Sequence, residues 1–262
     1  YPTYPQGRII HLSFGFIAAF IGAVFVPSIM EPDWTAVTFL GLAATQFREV
    51  RNMERETLEK VDDFELVRRG SSFIEGMAQA FESRNYLVMF TALVSTLFAT
   101  YHLLLGVVAG LLMLVIVKRN MSGKVLKAIA NIEEGEIRFD GPNLYVSDIH
   151  IKNVGLEESK QLILERAVGV IVVPKNENSV VTISNLGQRQ AMLHQVANVL
   201  GVFLDEGEPD IVPLSKRKLE DGRLGLFLMP EEREFKQIKA VLEQVPVLDS
   251  AIRLPNEANK GK

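Results

Sequence analysis

The sequence predicts an α-helical polytopic membrane region followed by a soluble α+β domain. Three observations lead there. Charged residues are almost absent from residues 9–30, 34–47 and 86–117 and dense elsewhere. Lys and Arg collect at one set of ends of these apolar blocks, the bias that marks cytoplasmic flanks. From about Ser122 the pattern changes to short strands alternating with amphipathic helices. The mean hydropathy of +0.16 is high for a chain with 23% charged residues because it averages these two parts.

The first element is Ile9 to Met30, 22 residues whose only titratable group is His11. A helix needs about 20 apolar residues to cross a bilayer, so a span over about 9–30 is expected. Ala18 with Gly22, and Ala19 with Ala23, have the small-xxx-small spacing that lets helices approach closely. A buried helix in a soluble core is the competing reading, and 22 charge-free residues weigh against it. The second span, about 34–50, opens on Trp34 as an interface anchor and closes where Arg48 can snorkel outward. Residues 86–117 form 32 uncharged positions, which as one helix would reach roughly 48 Å. A break at "ATYHLL" (99–104) divides them into spans over about 86–101 and 103–119, with Gly106 and Gly110 as a GxxxG on the second. With four spans, Arg8, Arg48, Arg51, Arg55, Arg84, Lys118, Arg119 and Lys124 fall on one side and the acidic turn Glu31 to Asp33 on the other. The transmembrane region is therefore 1–120, multi-pass in the cell membrane, with a cytoplasmic helical connection over 51–85.

Residues 48–69 hold six basic and seven acidic side chains and read as a solvated helix ending near Gly70. Ser72 to Glu75 is S-x-x-E ahead of an apolar run, the signature of a capping box. After it Phe73, Ile74, Met77, Ala78 and Phe81 share one helical stripe, so 71–85 reads as an amphipathic helix on the membrane surface. Gly76 in its first turns implies close approach of another element. Glu75 reads as a cap, with Glu75 and Glu82 as the carboxylates that a membrane-embedded hydrolase or protease would use. Glu82 and Arg84 can pair with the Arg48 to Arg55 stretch.

The stretch "FIEGMAQAFESRNYLVMF" resembles the signature of the YIEGIA family, membrane proteins of endospore-forming Firmicutes named for Tyr-Ile-Glu-Gly-Ile-Ala. Ile74, Glu75, Gly76 and Ala78 match; Phe73 replaces the Tyr and Met77 the second Ile. Glu82, Arg84 and Asn85 belong to the same quoted stretch, and Ser72 directly precedes it. "YPTYPQGRIIHLSFGFIAAFIGAV" and "AVTFLGLAATQFREVRNMERETL" are similar to the same family. The resemblance implies an integral membrane protein associated with sporulation, and it carries no catalytic site with it.

Residues 121–254 are expected to form one cytoplasmic α+β domain, followed by a disordered tail at 255–262. "SGKVLKAIANIEEG" reads as a helix stopped by glycine, and "EIRFDG" and "LYVSDIHIKNV" as strands around Asp140 to Asn143. "GLEESKQLILERA" is helix, "VGVIVVP" a buried strand and "SVVTISN" another. "LGQRQAMLHQVANVLGV" is a helix capped by Ser184 or Asn185. "RLGLFLMP", "EEREFKQIKAVLEQV" and "VLDSAIRL" close the chain as strand, helix, strand, for which a ferredoxin-like sandwich is the nearest architecture.

The chemistry that the sequence excludes is broad. Without cysteine there are no disulfides, thiol nucleophiles or Cys-ligated metals. His11, His102, His150 and His194 form no local metal pattern, so no metal and no cofactor is predicted, and His194 reads as a helix-face residue. A net charge of −4 argues against nucleic acid as a partner. Gly187, Gln188 and Arg189 offer amides and a guanidinium at a helix start, a candidate anion site. Lys216, Arg217, Lys218 and Arg223 form a basic cluster suited to anionic headgroups. Expected partners are membrane lipid, a protein bound through the cytoplasmic domain, and a second copy through the small-residue faces. A chain that starts at Tyr1 reads as a fragment or processed form. A small-solute transporter is the remaining alternative, weakened by the lack of a mid-membrane charge.

Overall fold

The computed structural model describes residues 5–31, 33–121, 123–204 and 211–252; the predicted tail and the boundary residue Ser122 lie outside them. Two compact units emerge: residues 1–56 with 77–122, and residues 57–76 with 123–262. The connection expected within the membrane region is thus divided, and residues 57–76 group with the C-terminal unit.

The first unit is helical. It contains α1 (Pro5–Met30), most of α2 (Trp34–Asp62), most of α3 (Ser71–Ala99) and α4 (Leu103–Met121). Asp33 starts α2 by accepting from the amides of Thr35 (3.0 Å) and Ala36 (3.1 Å), which satisfies donors that the first turn leaves unpaired. His102 Nδ1 accepts from the Leu104 amide at 3.2 Å and starts α4, so the expected break at 99–104 is present. The separate surface helix expected over 71–85 is not: it runs on without interruption into α3, since no Gly or Pro intervenes between Met77 and Ala99.

Small residues set the packing of this unit. Ala18 and Gly22 are buried, and a Cβ on Gly22 would lie 2.0 Å from the Met89 carbonyl oxygen, so α1 and α3 touch backbone to side-chain position. Ile21, Leu40 and Phe47 complete the cluster around Ala18. Gly106 packs as closely on Ser95 and Ala99, and Ser95 Oγ donates to the Gly106 carbonyl at 2.9 Å. Among the described residues one stretch, Gly7–Met30, is long and apolar enough by length and composition to cross a membrane. Helices α2 and α3 each join an apolar half to a charged half, and α4 ends in Lys118 and Arg119. Four spans therefore do not follow from helix length and composition.

The second unit is α+β, as expected. Its strands are β1 (Ala130–Gly135), β2 (Ile137–Asp140), β3 (Asn143–Val146), β4 (Ile149–Asn153), β5 (Val168–Pro174), β6 (Leu214–Arg217) and β7 (Leu224–Leu228). Its other helices are the single turn α5 (Leu126–Ile129), α6 (Glu157–Arg166), α7 (Glu177–Ser184), α8 (Leu186–Leu200) and α9 (Phe235–Glu243). One antiparallel sheet has the order β1-β5-β7-β6, and β2-β3-β4 form a separate antiparallel meander. Alternation along β5 and β7 builds two cores. Val170, Val172, Leu224 and Leu226 face Ile183, Met192, Val196 and Ile238 of the helices. Ile171 and Phe227 face Leu144, Val146, Ile149 and Ile151 of the meander. Gly135 and Gly169 are paired in register and make room for Val146, and Gly225 makes room for Ile149.

β5 and β6 lie on either side of β7 and are joined through α7 and α8, a split β-α-β connection. The expected ferredoxin-like closing unit of strand, helix and strand is corrected. The described part of "VLDSAIRL", residues 247–252, holds a 3-10 turn, Asp249–Ala251, and no strand, and β1 occupies the sheet edge beside β5. "SVVTISN" is α7, because Asn176 Oδ1 accepts from the Ser179 amide at 2.9 Å and starts a helix whose Thr182 and Ile183 are buried. "ANIEEG" is strand β1 and not the end of a helix, its Ile132 buried among the strands and helices of the first core.

Candidate functional site

Side chains from three helices of the first unit meet. α1 supplies His11, α2 supplies Arg51 and Glu54, and α3 supplies Phe81 and Glu82. His11 Nε2 lies 3.3 Å from Glu54 Oε1, and the two side chains are only 17% and 5% exposed. The His11 ring stacks on Phe81 at 4.1 Å between centroids, and Phe14 meets the same ring edge-on. Arg51 Nη1 and Glu82 Oε2 are 3.5 Å apart. Asn85 is 3% exposed, and its Nδ2 has no hydrogen-bond partner among the described residues.

This arrangement pairs charge where water is scarce. Buried ion pairs contribute little net stability against apolar packing, but losing one partner costs several kcal/mol because the other charge remains buried. The cluster therefore fixes which faces of α1, α2 and α3 meet. Of the site residues expected from sequence, Glu82 belongs here, paired with Arg51 of the Arg48 to Arg55 stretch; Asn85 is buried on the same helix. Arg84 is exposed and makes no ion pair or hydrogen bond among the described residues. His11 and Glu54 were not foreseen as partners, since they are 43 residues apart and nothing in either segment signals the other.

The start of α3 lies in the second unit and is built differently. The Gly70 carbonyl accepts from the amides of Phe73 and Ile74, both at 3.1 Å, so Gly70 holds the cap position. Ser72 falls two residues inside the helix, and the capping box expected from Ser72 and Glu75 is replaced by this glycine cap, whose φ of +78° a side chain would strain. Asp62 supports the turn by accepting from the amides of Arg69 (2.6 Å) and Gly70 (3.1 Å). The buried Arg69 guanidinium donates to Glu65 at 2.9 Å. Ile74 and Ala78 are buried, and a Cβ on Gly76 would lie 2.7 Å from Ser250 Oγ, which explains the glycine.

The candidate anion site is filled by the chain itself. A Cβ on Gly187 would lie 2.7 Å from the Ser72 carbonyl oxygen. The Gln188 amide donates to Asn185 Oδ1. Its side chain, fully buried, donates from Nε2 to the Pro246 carbonyl (3.1 Å) and accepts from the Leu248 amide (2.8 Å). Arg189 stands beside Arg217; burial and that neighbour hold its pKa below the usual arginine value. His194 is buried, and Nδ1 donates to the Val67 carbonyl at 2.8 Å, since a carbonyl can only accept.

The basic cluster is partly neutralised. Lys218 and Arg223 of the β6–β7 turn both reach Asp148 in the β3–β4 turn, Arg223 at 2.7 Å. Their hydrogen bonds, Lys218 first, hold the Asp148 carboxyl below the usual carboxylate range, and Asp148 raises Lys218 in return. Lys216 and Arg217 stay exposed. Among the described residues no group of three or more His, Cys, Asp or Glu side chains could hold a metal.

A long apolar N-terminal helix, a buried polar cluster among three helices and a helix-backed antiparallel sheet define the class, a helical unit joined to an α+β unit. The chain belongs to the YIEGIA protein family, whose family model matches residues 1–258. It is 49% identical over 263 residues to Uncharacterized protein YphB of Bacillus subtilis (strain 168), an alignment spanning 100% of this chain and 89% of that protein. No solved structure matches it.

Proposed function

We propose that this is a multi-pass membrane protein of sporulating cells, with four helical spans, that presents its α+β unit in the cytoplasm as a docking module for a protein partner. One observation carries the membrane part: helices α1 and α4 turn large apolar side chains outward along their length. Phe16 is 74% exposed and Leu103 75%, and Leu111, Leu112, Leu114, Val115 and Ile116 are exposed, with half-buried Met113 among them. The exposed five cover a little over half of the helix circumference and Met113 takes the remaining arc, so this stretch of α4 is apolar on all sides, as a lipid-facing helix is. Basic residues at the inner ends support the orientation. The sporulation part rests on family membership and on a relative from Bacillus subtilis.

The cysteine-free chain makes the topology directly testable. Single cysteines at Glu31, His102 and Lys124 are probed with an impermeant thiol reagent on intact cells. Labelling at Glu31 and His102 but not Lys124 is the expected result. Labelling of Lys124 but not His102 refutes the four-span topology. Photocrosslinking from Gln79 and Arg189 in sporulating cells then tests the docking role. A stable protein adduct that depends on the probed face supports it, and adducts to bulk protein only refute it.

A further inference from the structure

We propose that the first unit holds one acyl chain of an anionic phospholipid in a groove between α3 and α4. The inference rests on the membrane reading above. The hairpin of α3 and α4 is tight near its turn: a Cβ on Gly106 would lie 2.5 Å from Ala99 Cβ and 2.8 Å from the Ser95 carbonyl. One turn further, at Gly110, the nearest atom is Ser95 Oγ at 3.0 Å, and a gap opens there toward Leu114 and Val117. The gap is a groove of about 510 Å³. It exists because its floor is made of small residues, Ala19, Ala92, Ser95 and Gly110, between the larger walls Leu87 and Leu114.

Its length and its charge point to the same occupant. From Ser95 to Arg84 is eleven helical steps, about 16 Å at ~1.5 Å per residue, and one leaflet of a ~30 Å hydrocarbon core is about 15 Å deep. Arg84 lines the open end, and Val117 lines the same end with Lys118 next in sequence. Arg84 and Lys118 are exposed, and neither has an ion pair or hydrogen bond among the described residues. A slot as deep as one leaflet, with two available cations at its mouth, fits a lipid whose phosphate carries a net negative charge. In the proposed topology that mouth lies at the cytoplasmic leaflet, where anionic lipids collect.

The test uses the full chain reconstituted in phosphatidylcholine vesicles containing a trace of lipid with a photoactivatable acyl chain. The headgroup is either phosphatidylglycerol or phosphatidylcholine, and adducts are mapped by mass spectrometry. The expected result is adducts concentrated in residues 87–95 and 110–117, with the phosphatidylglycerol probe favoured. Arg84→Gln and Lys118→Gln should each lower that preference about fivefold. Val88→Trp, which fills the groove wall, should remove the adducts for both probes, while Val115→Trp on the outward face should not. Adducts spread evenly over the exposed helix faces, or a yield indifferent to headgroup and to Arg84→Gln, overturn the proposal. Alkaline carbonate extraction of cells separates the two failures. Release of the protein into the soluble fraction overturns the membrane reading and the groove with it; retention in the membrane with an even adduct pattern overturns the groove alone.

Discussion

Gln188→Met separates the two roles that a helix-start glutamine can have. The side chain is fully buried and bridges two backbone groups of the C-terminal segment, the Pro246 carbonyl and the Leu248 amide. Methionine is unbranched and of similar volume, so it fills the space without a cavity. It cannot replace either hydrogen bond. Each stranded buried group costs about 1–3 kcal/mol, so the pair loses about 2–6 kcal/mol. The loss should appear locally, because this segment is otherwise tied by Val247 N to Lys124 O and by Leu126 N to Val245 O. At about 3 kcal/mol, opening of residues 246–251 becomes over 100-fold more frequent, since each 1.4 kcal/mol is tenfold. Amide hydrogen exchange of Val247 and Leu248, followed by mass spectrometry, reads this directly. Exchange within threefold of wild type would refute the bridging role. Unchanged exchange together with weakened phosphate binding would return Gln188 to the anion site that its sequence context suggests.

Three further outcomes are expected. Gly22→Ala places a methyl 2.0 Å from the Met89 carbonyl and should force α1 from α3, at about 1–3 kcal/mol in a thermal melt in detergent; Gly15→Ala, with nothing within 4 Å, should be neutral or stabilising by up to about 1 kcal/mol. Asp62→Ala removes the acceptor of the Arg69 and Gly70 amides, so protease cleavage within residues 63–68 should accelerate at least tenfold. Asp148→Asn tests the turn cluster through pH. The folded carboxyl titrates below its ordinary value of 3.8, so its contribution is present above that value and disappears as pH falls through the lower folded value. The difference between wild-type and Asp148→Asn unfolding midpoints should be constant from pH 7 to about 5 and close below about pH 4. A difference that persists at pH 2 contradicts the ion pairing.

What the sequence made legible depended on local signals. The helix over Ile9 to Met30 and the buried strand Val168–Pro174 are long apolar runs and read directly. The α3–α4 break read correctly because Tyr101 and His102 interrupt an otherwise apolar block. Errors came where tertiary burial overrode propensity. Val180, Val181, Thr182 and Ile183 favour a strand as β-branched residues, yet Asn176 caps them into a helix that lies on the sheet. Residues 71–85 were separated from 86–99 because their polarity differs, but polarity does not break a helix; only backbone chemistry does. The glycines Gly135, Gly169 and Gly225 carry no local message at all, since their role is to admit Val146 and Ile149 from another sheet.

The site was legible only in part for a related reason. The family signature draws the eye to Phe73 through Ala78, yet this stretch is a packing constraint. Ile74 and Ala78 are buried, and Gly76 has no space for a side chain beside Ser250. These positions must be small or apolar to fit, so their composition follows from packing and says nothing of chemistry. The titratable groups that do sit in a protected place lie one turn later, at Glu82, and on other helices, at His11 and Glu54, with Arg51 paired to Glu82. Three helices must fold before those groups meet, so no single segment could reveal them. The buried polar contacts of the first unit are therefore His11 with Glu54 and Arg51 with Glu82, drawn from α1, α2 and α3.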